Sequence, residues 1–465
     1  MKKVFSAVSK PNILLIVVDS LKSDKCIGEN LSSITPNIDF LIKNGAAFPQ
    51  TISPAAVSPV AMSSIFTGLP PFKIGMDTIN YHRLSPDIET YVKILKNNGY
   101  KTHATAPSVA EDFGLICDFE NSDSTYRNYL SLFDGLGEQI IEKLVNGSIN
   151  TPWFFYIHIF DLHTPITVPK SFSDKKFGAS KYEKQISAID FWIGKIIGKI
   201  NLQNTLIILT ADHGEYVPIV EYNNKIINLE ASDNEAKLWK MSNKSFKRLV
   251  RKRDGDVRAP IAKMGDLLRN TRTKIKKQKI NELNLSPYQK RVLMESRMEE
   301  GHRMFDDLVK VPLIFSGLNI PSNKEILQQV RHIDIFPTIE DMISLPKKQN
   351  VDGYSLLPLM QDKLLEEIPA YIESPPSVMK NSKKIIGIRT SNYKMIKQAD
   401  SDKILELYNI IDDPLEEKNI VKEYPEIVLL LDKKLSEIKN FVVSSNDSSH
   451  RDKKIENVLK RLGYV

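Results

Sequence analysis

The sequence predicts an α/β fold, with a mostly parallel central sheet sandwiched by helices and a small C-terminal α+β subdomain. Three observations predict it. First, four short apolar runs, Asn12–Val18, Trp153–Phe160, Thr205–Thr210 and Val311–Phe315, are each followed at once by polar residues. Continuous β-rich runs of this length read as strands buried on both faces, as in a parallel sheet. Second, helical patterns lie between them at Pro36–Asn44, Pro86–Asn98, Tyr126–Val145 and Lys181–Ile200, and strand–helix alternation implies layered packing. Third, the pattern changes after Leu345. Lys384–Met395 and Ile404–Asn409 read as a small antiparallel pair, and Tyr424–Ile438 as a closing helix.

On this reading residues 11–365 form the layered domain, interrupted by a basic helical insertion at about 217–300. Residues 366–440 form the C-terminal subdomain and 441–465 a polar tail. Within the insertion, Ala236–Arg253 and Ala259–Lys279 carry helical patterns. A chain of 465 residues that is 42% hydrophobic and 26% charged can bury a large core, which excludes wholesale disorder and a fibrous repeat. No apolar run approaches the roughly 18–20 residues of a membrane span. Lys2 and Lys3 begin like a secretion signal, but the apolar stretch after them is short and broken by Ser6, Ser9 and Lys10. The expectation is a cytoplasmic protein. Cys26 and Cys117 are the only cysteines, too few for a disulfide framework or a cysteine-built zinc site.

The net charge of +7 is concentrated. Residues 217–300 hold 20 Lys or Arg against 11 Asp or Glu, so the remainder is close to neutral. One basic segment on a neutral body does not mark the whole protein as a specific nucleic-acid binder.

In open α/β sheets, ligands bind beyond the carboxyl ends of the strands. Three of the four apolar runs carry Asp or His there. Asp212-His213-Gly214 follows the third run, where carboxylate oxygen and imidazole nitrogen can face one divalent ion. The plainer reading is a helix-capping Asp beside a solvated His. Asp19, at the end of the first run, favours the metal, because two strand ends can converge. In Val57-Ser58-Pro59-Val60, Ser58 reads as a helix N-cap with Pro59 as first helical residue and Gly68 as C-cap. The same place suits a nucleophile, since free N–H groups favour an anion there and a nearby metal lowers the hydroxyl pKa. His163, before Thr164-Pro165, is a candidate proton donor, and His302 a weaker candidate. His158, in mid-strand, reads as a satisfied core histidine, and His332 as structural.

Taken in order, these segments resemble the sulfatase family of the alkaline-phosphatase superfamily. The resemblance rests on Asp19 after a strand, Thr35-Pro36-Asn37-Ile38-Asp39, Ser58 before Thr67-Gly68, and Gly99-Tyr100-Lys101-Thr102. It continues through Phe160-Asp161-Leu162-His163-Thr164-Pro165, Asp212-His213-Gly214-Glu215, Gly301-His302-Arg303 with Val311-Pro312-Leu313-Ile314, His332-Ile333-Asp334, and Asp352-Gly353-Tyr354. It implies an alkaline-phosphatase-like fold and an ester hydrolase. One divalent ion (calcium, manganese, zinc or magnesium) would be held by Asp19, Asp212 and His213. Ser58 would be the nucleophile, and His163 and His302 would bind the ester or protonate its leaving oxygen.

Three departures stand out. Sulfatases that convert their Cys or Ser to formylglycine carry Pro two residues on and Arg four residues on, where this chain has Val60 and Met62. The second signature runs on to Ala106-Pro107-Ser108-Val109 in place of a Lys and a His, and Ser20 stands where a second Asp is often found. A sulfuric ester hydrolase is therefore the leading expectation, with an anionic or polyanionic sulfate or phosphate ester as substrate. A phosphodiester or phosphonate hydrolase, or a phosphoryl transferase using unmodified Ser58, is the first alternative. A catalytically degenerate binding protein is the second. The insertion leaves from Asp212-His213-Gly214 and returns at Gly301-His302, so Lys247, Arg248, Arg251, Lys252 and Arg253 are expected to recruit anionic substrate from the pocket rim.

Overall fold

The computed structural model describes residues 10–29, 31–76, 83–123, 131–145, 151–232, 274–295, 303–318, 320–374, 384–399, 401 and 403–440. Its centre is β1 (Asn12–Val18), in which all seven residues are buried. The unbroken Ile13–Val18 run is explained by its neighbours, since β1 is flanked by β5 (Trp153–Ile159) and β6 (Thr205–Thr210), both parallel to it. Val17 pairs with His158 on one side and Thr210 on the other. This register brings the residues that follow the three strands to one edge of the sheet.

Outward from β5 come β3 (Lys101–Thr105) and β4 (Asn121–Asp123), both parallel. Outward from β6 come β9 (Lys310–Gly317) and then β2 (Gly45–Ile52), with β10 (Lys324–Glu325) and β11 (Val330–Arg331) pairing along β2. β9 is antiparallel to both its neighbours. Its run Val311–Phe315 is fully buried, as a parallel core strand would be, but it points the other way. Its C-terminal Ser316-Gly317 therefore lies at the edge opposite the ends of β1, β5 and β6.

Helices cover the sheet. α1 (Pro36–Lys43) and α7 (Lys181–Ile197) pack on each other. α7 starts at Ser180, whose side chain accepts from Glu183 N, as a good N-cap does. Asp190 of α7 accepts from the N–H groups of Asn37 (3.1 Å) and Ile38 (2.7 Å), so a neighbouring helix caps the first turn of α1. α2 (Ser58–Thr67) is buried along its whole length and ends at Gly68, which takes the left-handed conformation a C-cap needs (φ 69°).

The C-terminal part forms a second sheet, β12 (Ala370–Ser374), β13 (Ile385–Arg389), β14 (Tyr393–Gln398) and β15 (Ile404–Asn409), antiparallel throughout. The segment Lys384–Met395 thus holds the turn of a hairpin, and the sheet has four strands where the sequence suggested a pair. The helix Pro425–Asn440 lays Leu431 and Leu435 against it. The basic insertion opens with a hairpin, β7 (Ile219–Tyr222) and β8 (Lys225–Asn228), that its composition did not predict. Its described remainder is helical at 274–281 and Pro287–Met294.

A buried ionic cluster joins the two sheets. Asp306, in the segment leading into β9, receives Arg389 Nη2 at 2.9 Å and Lys394 Nζ at 2.5 Å, both from the C-terminal sheet. Lys394 also meets Glu416 Oε1 at 2.6 Å, and Glu416 Oε2 accepts the Asp306 backbone N–H. Two cations against two carboxylates leave the buried charge balanced, the condition for such a cluster to be tolerated. Among the described residues, no helix is long and apolar enough to cross a membrane.

Candidate active site

Asp19 follows β1 and Asp212-His213 follow β6, and both carboxylates are fully buried. Asp19, Asp212 and His213 each place one ligand atom within 4.8 Å of the others. The strand ends therefore converge as the alternation of strands and helices implied. Asp212 does not cap a helix. Its Oδ1 accepts from the backbone of Ser20 (3.1 Å) and His213 (2.8 Å), while Oδ2 has no hydrogen-bond partner among the described residues.

The turn after β6 is pinned from outside. Gly214 N donates to Leu308 O at 2.8 Å, and a Cβ on Gly214 would stand 2.1 Å from the Asp307 carbonyl, so only glycine fits. His213 Nδ1 lies 2.8 Å from Gly214 O. That contact places the proton on Nδ1 and leaves Nε2 as the inward-facing acceptor.

Ser58 is not the cap of α2. Val57 takes that position, with φ −148° and ψ 117°, and Ser58 is the first helical residue. Oγ stands 3.3 Å from Asp19 Oδ2 and 3.4 Å from His213 Nε2, with Ser58 only 5% exposed. The sequence reading put its local role in the helix one position off.

His163, buried at the end of the β5 loop, stacks on Phe160 with ring centroids 4.3 Å apart. Its Nδ1 is 2.9 Å from Thr164 O. His158, read from the sequence as a satisfied core histidine, is buried but satisfied only at Nδ1, 2.6 Å from the Tyr156 hydroxyl. Its Nε2 lies 3.7 Å from both Asp19 Oδ2 and Asp212 Oδ2, beyond hydrogen-bond distance, and has no hydrogen-bond partner among the described residues. Mid-strand position hid it, because β5 projects His158 toward the two neighbouring strand ends. His332 is fully buried, and burial pushes its imidazole down to about 3, with His213 adding to the effect.

Ser20 is a residue that sequence reasoning noted only as a missing Asp. It adopts the left-handed conformation (φ 64°), its Oγ donates to Asp19 Oδ1 at 2.6 Å, and its N–H donates to Asp212. The Tyr182 hydroxyl holds it there, donating to Ser20 O at 2.6 Å and accepting from Lys22 N at 2.9 Å.

The two carboxylates are driven apart electrostatically. Burial alone would raise Asp19, but His158, His163 and His213 around it hold it well below the usual carboxylate range. Burial and the charge of Asp19 push Asp212 up, against the opposing pull of His213 and His158. Two buried carboxylates this close repel unless a cation lies between them. The donor set, with an orphaned Asp212 oxygen facing Asp19 and an imidazole acceptor, fits a divalent ion. His302 and the five basic residues Lys247, Arg248, Arg251, Lys252 and Arg253 lie outside the described residues.

Comparison with known proteins agrees with this geometry. Residues 11–344 match the family model for sulfatases, and residues 295–441 match the model for the C-terminal part of N-sulphoglucosamine sulphohydrolase. Arylsulfatase K of Gallus gallus is 21% identical over 476 residues, covering 96% of this chain and 85% of that protein. Arylsulfatase K of Homo sapiens is 32% identical over 155 residues, 32% of this chain and 29% of that one. Among solved structures, a 2-O GAG sulfatase superposes with a TM-score of 0.63 at 16% identity, covering 94% of this chain and 95% of that one. The phosphonate monoester hydrolase of Agrobacterium radiobacter gives 0.63 at 16% identity, covering 93% and 96%. With a family match running from the first strand through the Asp212-His213 turn and the reversed strand, the chain belongs to the sulfatase family of ester-hydrolysing enzymes.

Proposed function

We propose that the protein hydrolyses sulfate esters of anionic substrates with Ser58 as nucleophile, in a site built to hold a divalent ion. The observation that carries this is the position of Ser58 Oγ, 3.3 Å from Asp19 and 3.4 Å from His213. Asp19, Asp212 and His213 would hold the ion, which when bound lowers the pKa of a neighbouring hydroxyl and polarises ester oxygens. In the proposed reaction Ser58 Oγ, its proton given up to water, attacks the sulfur as the bond from sulfur to the leaving oxygen breaks; water then attacks the sulfur of the Ser58 sulfate, Oγ leaves and regains a proton, and sulfate is released. Ser58 starts α2, and the positive end of a helix favours the negative charge that develops there. His163 gives a proton to the leaving oxygen, its ring fixed by Thr164 O and by stacking on Phe160. His302 is a second candidate for that proton.

A phosphoester or phosphonate substrate is the second reading, and a specific observation favours it. Val60 and Met62, which replace the Pro and Arg of the maturation motif, are fully buried within α2. An unmodified serine suits a phosphoryl centre, whose covalent intermediate water can cleave. Lys247, Arg248, Arg251, Lys252 and Arg253 complete the proposal as a cationic rim that captures anionic substrate. The deciding experiment is a side-by-side assay of an aryl sulfate, an aryl phosphodiester and an aryl phosphonate ester on metal-reconstituted protein. Preference for the aryl sulfate supports the main reading. Preference for either phosphorus ester replaces it with the second.

A further inference from the structure

We propose that His158 is a fourth protein ligand of the metal, making an Asp19–Asp212–His213–His158 centre that prefers a transition-metal ion over calcium. The inference rests on the metal-site reading above and goes beyond it in ligand count and ion class. It starts from two orphaned atoms. His158 Nε2 and Asp212 Oδ2 are buried, and neither has a hydrogen-bond partner among the described residues. Leaving either unpaired costs on the order of 1–3 kcal/mol, so two facing each other need an explanation.

The spacing supplies one. Nε2 is 3.7 Å from Asp19 Oδ2 and 3.7 Å from Asp212 Oδ2, and His213 Nε2 is 3.8 Å from Asp212 Oδ2. Hydrogen bonds would be shorter by more than half an ångström. Two donors bound to one ion at about 2.1–2.2 Å, at tetrahedral or slightly wider angles, stand about 3.4–3.8 Å apart. These separations therefore match ligands around an ion and do not match contacts between the ligands themselves.

The other face of the ring is fixed as a metal-bound histidine requires. Nδ1 is 2.6 Å from the Tyr156 hydroxyl. With Nδ1–H donated to that oxygen, Nε2 presents a lone pair to the carboxylates, an arrangement that is repulsive unless a cation lies between. The opposite tautomer would turn an N–H toward Asp19 and Asp212, but at 3.7 Å it would reach neither. A hydrogen bond to the remote ring nitrogen is the usual outer support of a ligating histidine, and here Tyr156, two residues earlier on the same strand face, supplies it.

Ligand chemistry then sets the ion. Ser20 offers no carboxylate where a second aspartate often follows the first strand, and its groups instead hold Asp19 and Asp212 in place. Two carboxylates and two imidazoles form a mixed O/N set. Calcium takes six to eight oxygen ligands at longer range, whereas zinc and manganese accept imidazole readily.

The test uses full-length protein freed of metal by chelation and titrated separately with Zn²⁺, Mn²⁺ and Ca²⁺. Wild type, His158→Ala, His158→Gln and Tyr156→Phe are compared, with the melting temperature of each metal-free form recorded. The expected result is a loss of more than about 100-fold in Zn²⁺ affinity for both His158 variants and about 10-fold for Tyr156→Phe, with Ca²⁺ affinity changed less than about 3-fold. Pulsed electron paramagnetic resonance of Mn²⁺-loaded wild type needs no variant, and two coordinated imidazole nitrogens are expected. One imidazole, or unchanged Zn²⁺ affinity in both His158 variants, overturns the proposal and leaves the three-residue site standing. An equal loss for all three ions with a lowered metal-free melting temperature assigns His158 a structural role and also overturns it. If wild type binds none of the ions, the metal reading itself falls, and this inference with it.

Discussion

The Tyr182 hydroxyl donates to the carbonyl of Ser20 at 2.6 Å, and that single contact holds a left-handed serine between two buried carboxylates. The same oxygen accepts from Lys22 N, so one phenol on α7 fixes the whole turn after β1. Tyr182→Phe removes both bonds without opening a cavity. The expected outcome is a stability loss of about 1–2 kcal/mol by chemical denaturation. Turnover should fall on the order of 10-fold as Asp19 loses its orientation, since small misplacements are costly at a reacting centre.

Ser58 should be found as unmodified serine, because Val60 and Met62 occupy the places where the maturation motif has Pro and Arg. Mass analysis of the peptide containing Ser58 checks this, and a loss of two hydrogens in most molecules would refute it. Ser58→Ala should reduce turnover by at least about 10³-fold. Its melting temperature should change little, since the hydroxyl does not cap α2.

Chelation should destabilise the protein, because Asp19 and Asp212 then face each other without a cation. Asp212→Asn is expected to reverse the effect. Burial and the charge of Asp19 push the Asp212 carboxyl up, and a neutral amide relieves that penalty. The variant should be inactive yet melt several degrees above the chelated parent, a trade of function for stability. Scanning calorimetry of both metal-free proteins is the check.

Asp190 provides a pH prediction outside the site. Burial pushes its carboxyl up from 3.8 to about 6, even though three N–H groups of Asn37 and Ile38 point at it. The folded state therefore keeps this proton at pH values where the unfolded chain has released it. Its contribution to stability is greatest below pH 4 and is lost as pH rises through 6, by about 3 kcal/mol at most. Asp190→Asn should flatten that part of the stability–pH curve while retaining an acceptor for α1, as urea titrations at pH 4, 5 and 6 would show.

The layered sheet was legible because burial on both faces leaves an unmistakable trace, as in Ile13–Val18 and Leu206–Leu209. Strand direction left none. Val311–Phe315 is as apolar as its neighbours, and only pairing shows that it is reversed. Asp19, Asp212 and His213 could be placed because residues just past buried strands share one edge. His158 was not legible, since a histidine inside a strand reads alike whether its ring is satisfied or orphaned. Ser58 was found through its helix start, but Ser-Pro reads equally as cap and first residue or as the first two residues. Only the φ of Val57 decides between them. Ser20 and Tyr182 are 162 residues apart, a separation no local pattern spans.

The segment Asp306–Val309 also governs the order in which the protein can be completed. Leu308 O receives Gly214 N and so sets the turn carrying His213, while Asp307 pairs with Lys22 beside the turn after β1. Its neighbour Asp306 is neutralised by Arg389 and Lys394. During synthesis, β1, β5 and β6 emerge long before those two cations do. Until they arrive, Asp306 has only Lys310, 3.8 Å away, to balance it, and the segment lacks its two buried cations. A nascent chain ending before β14 can have most of its central sheet, yet it lacks the clamp that positions His213. C-terminal truncation before β14 would therefore reach the site without touching any residue in it.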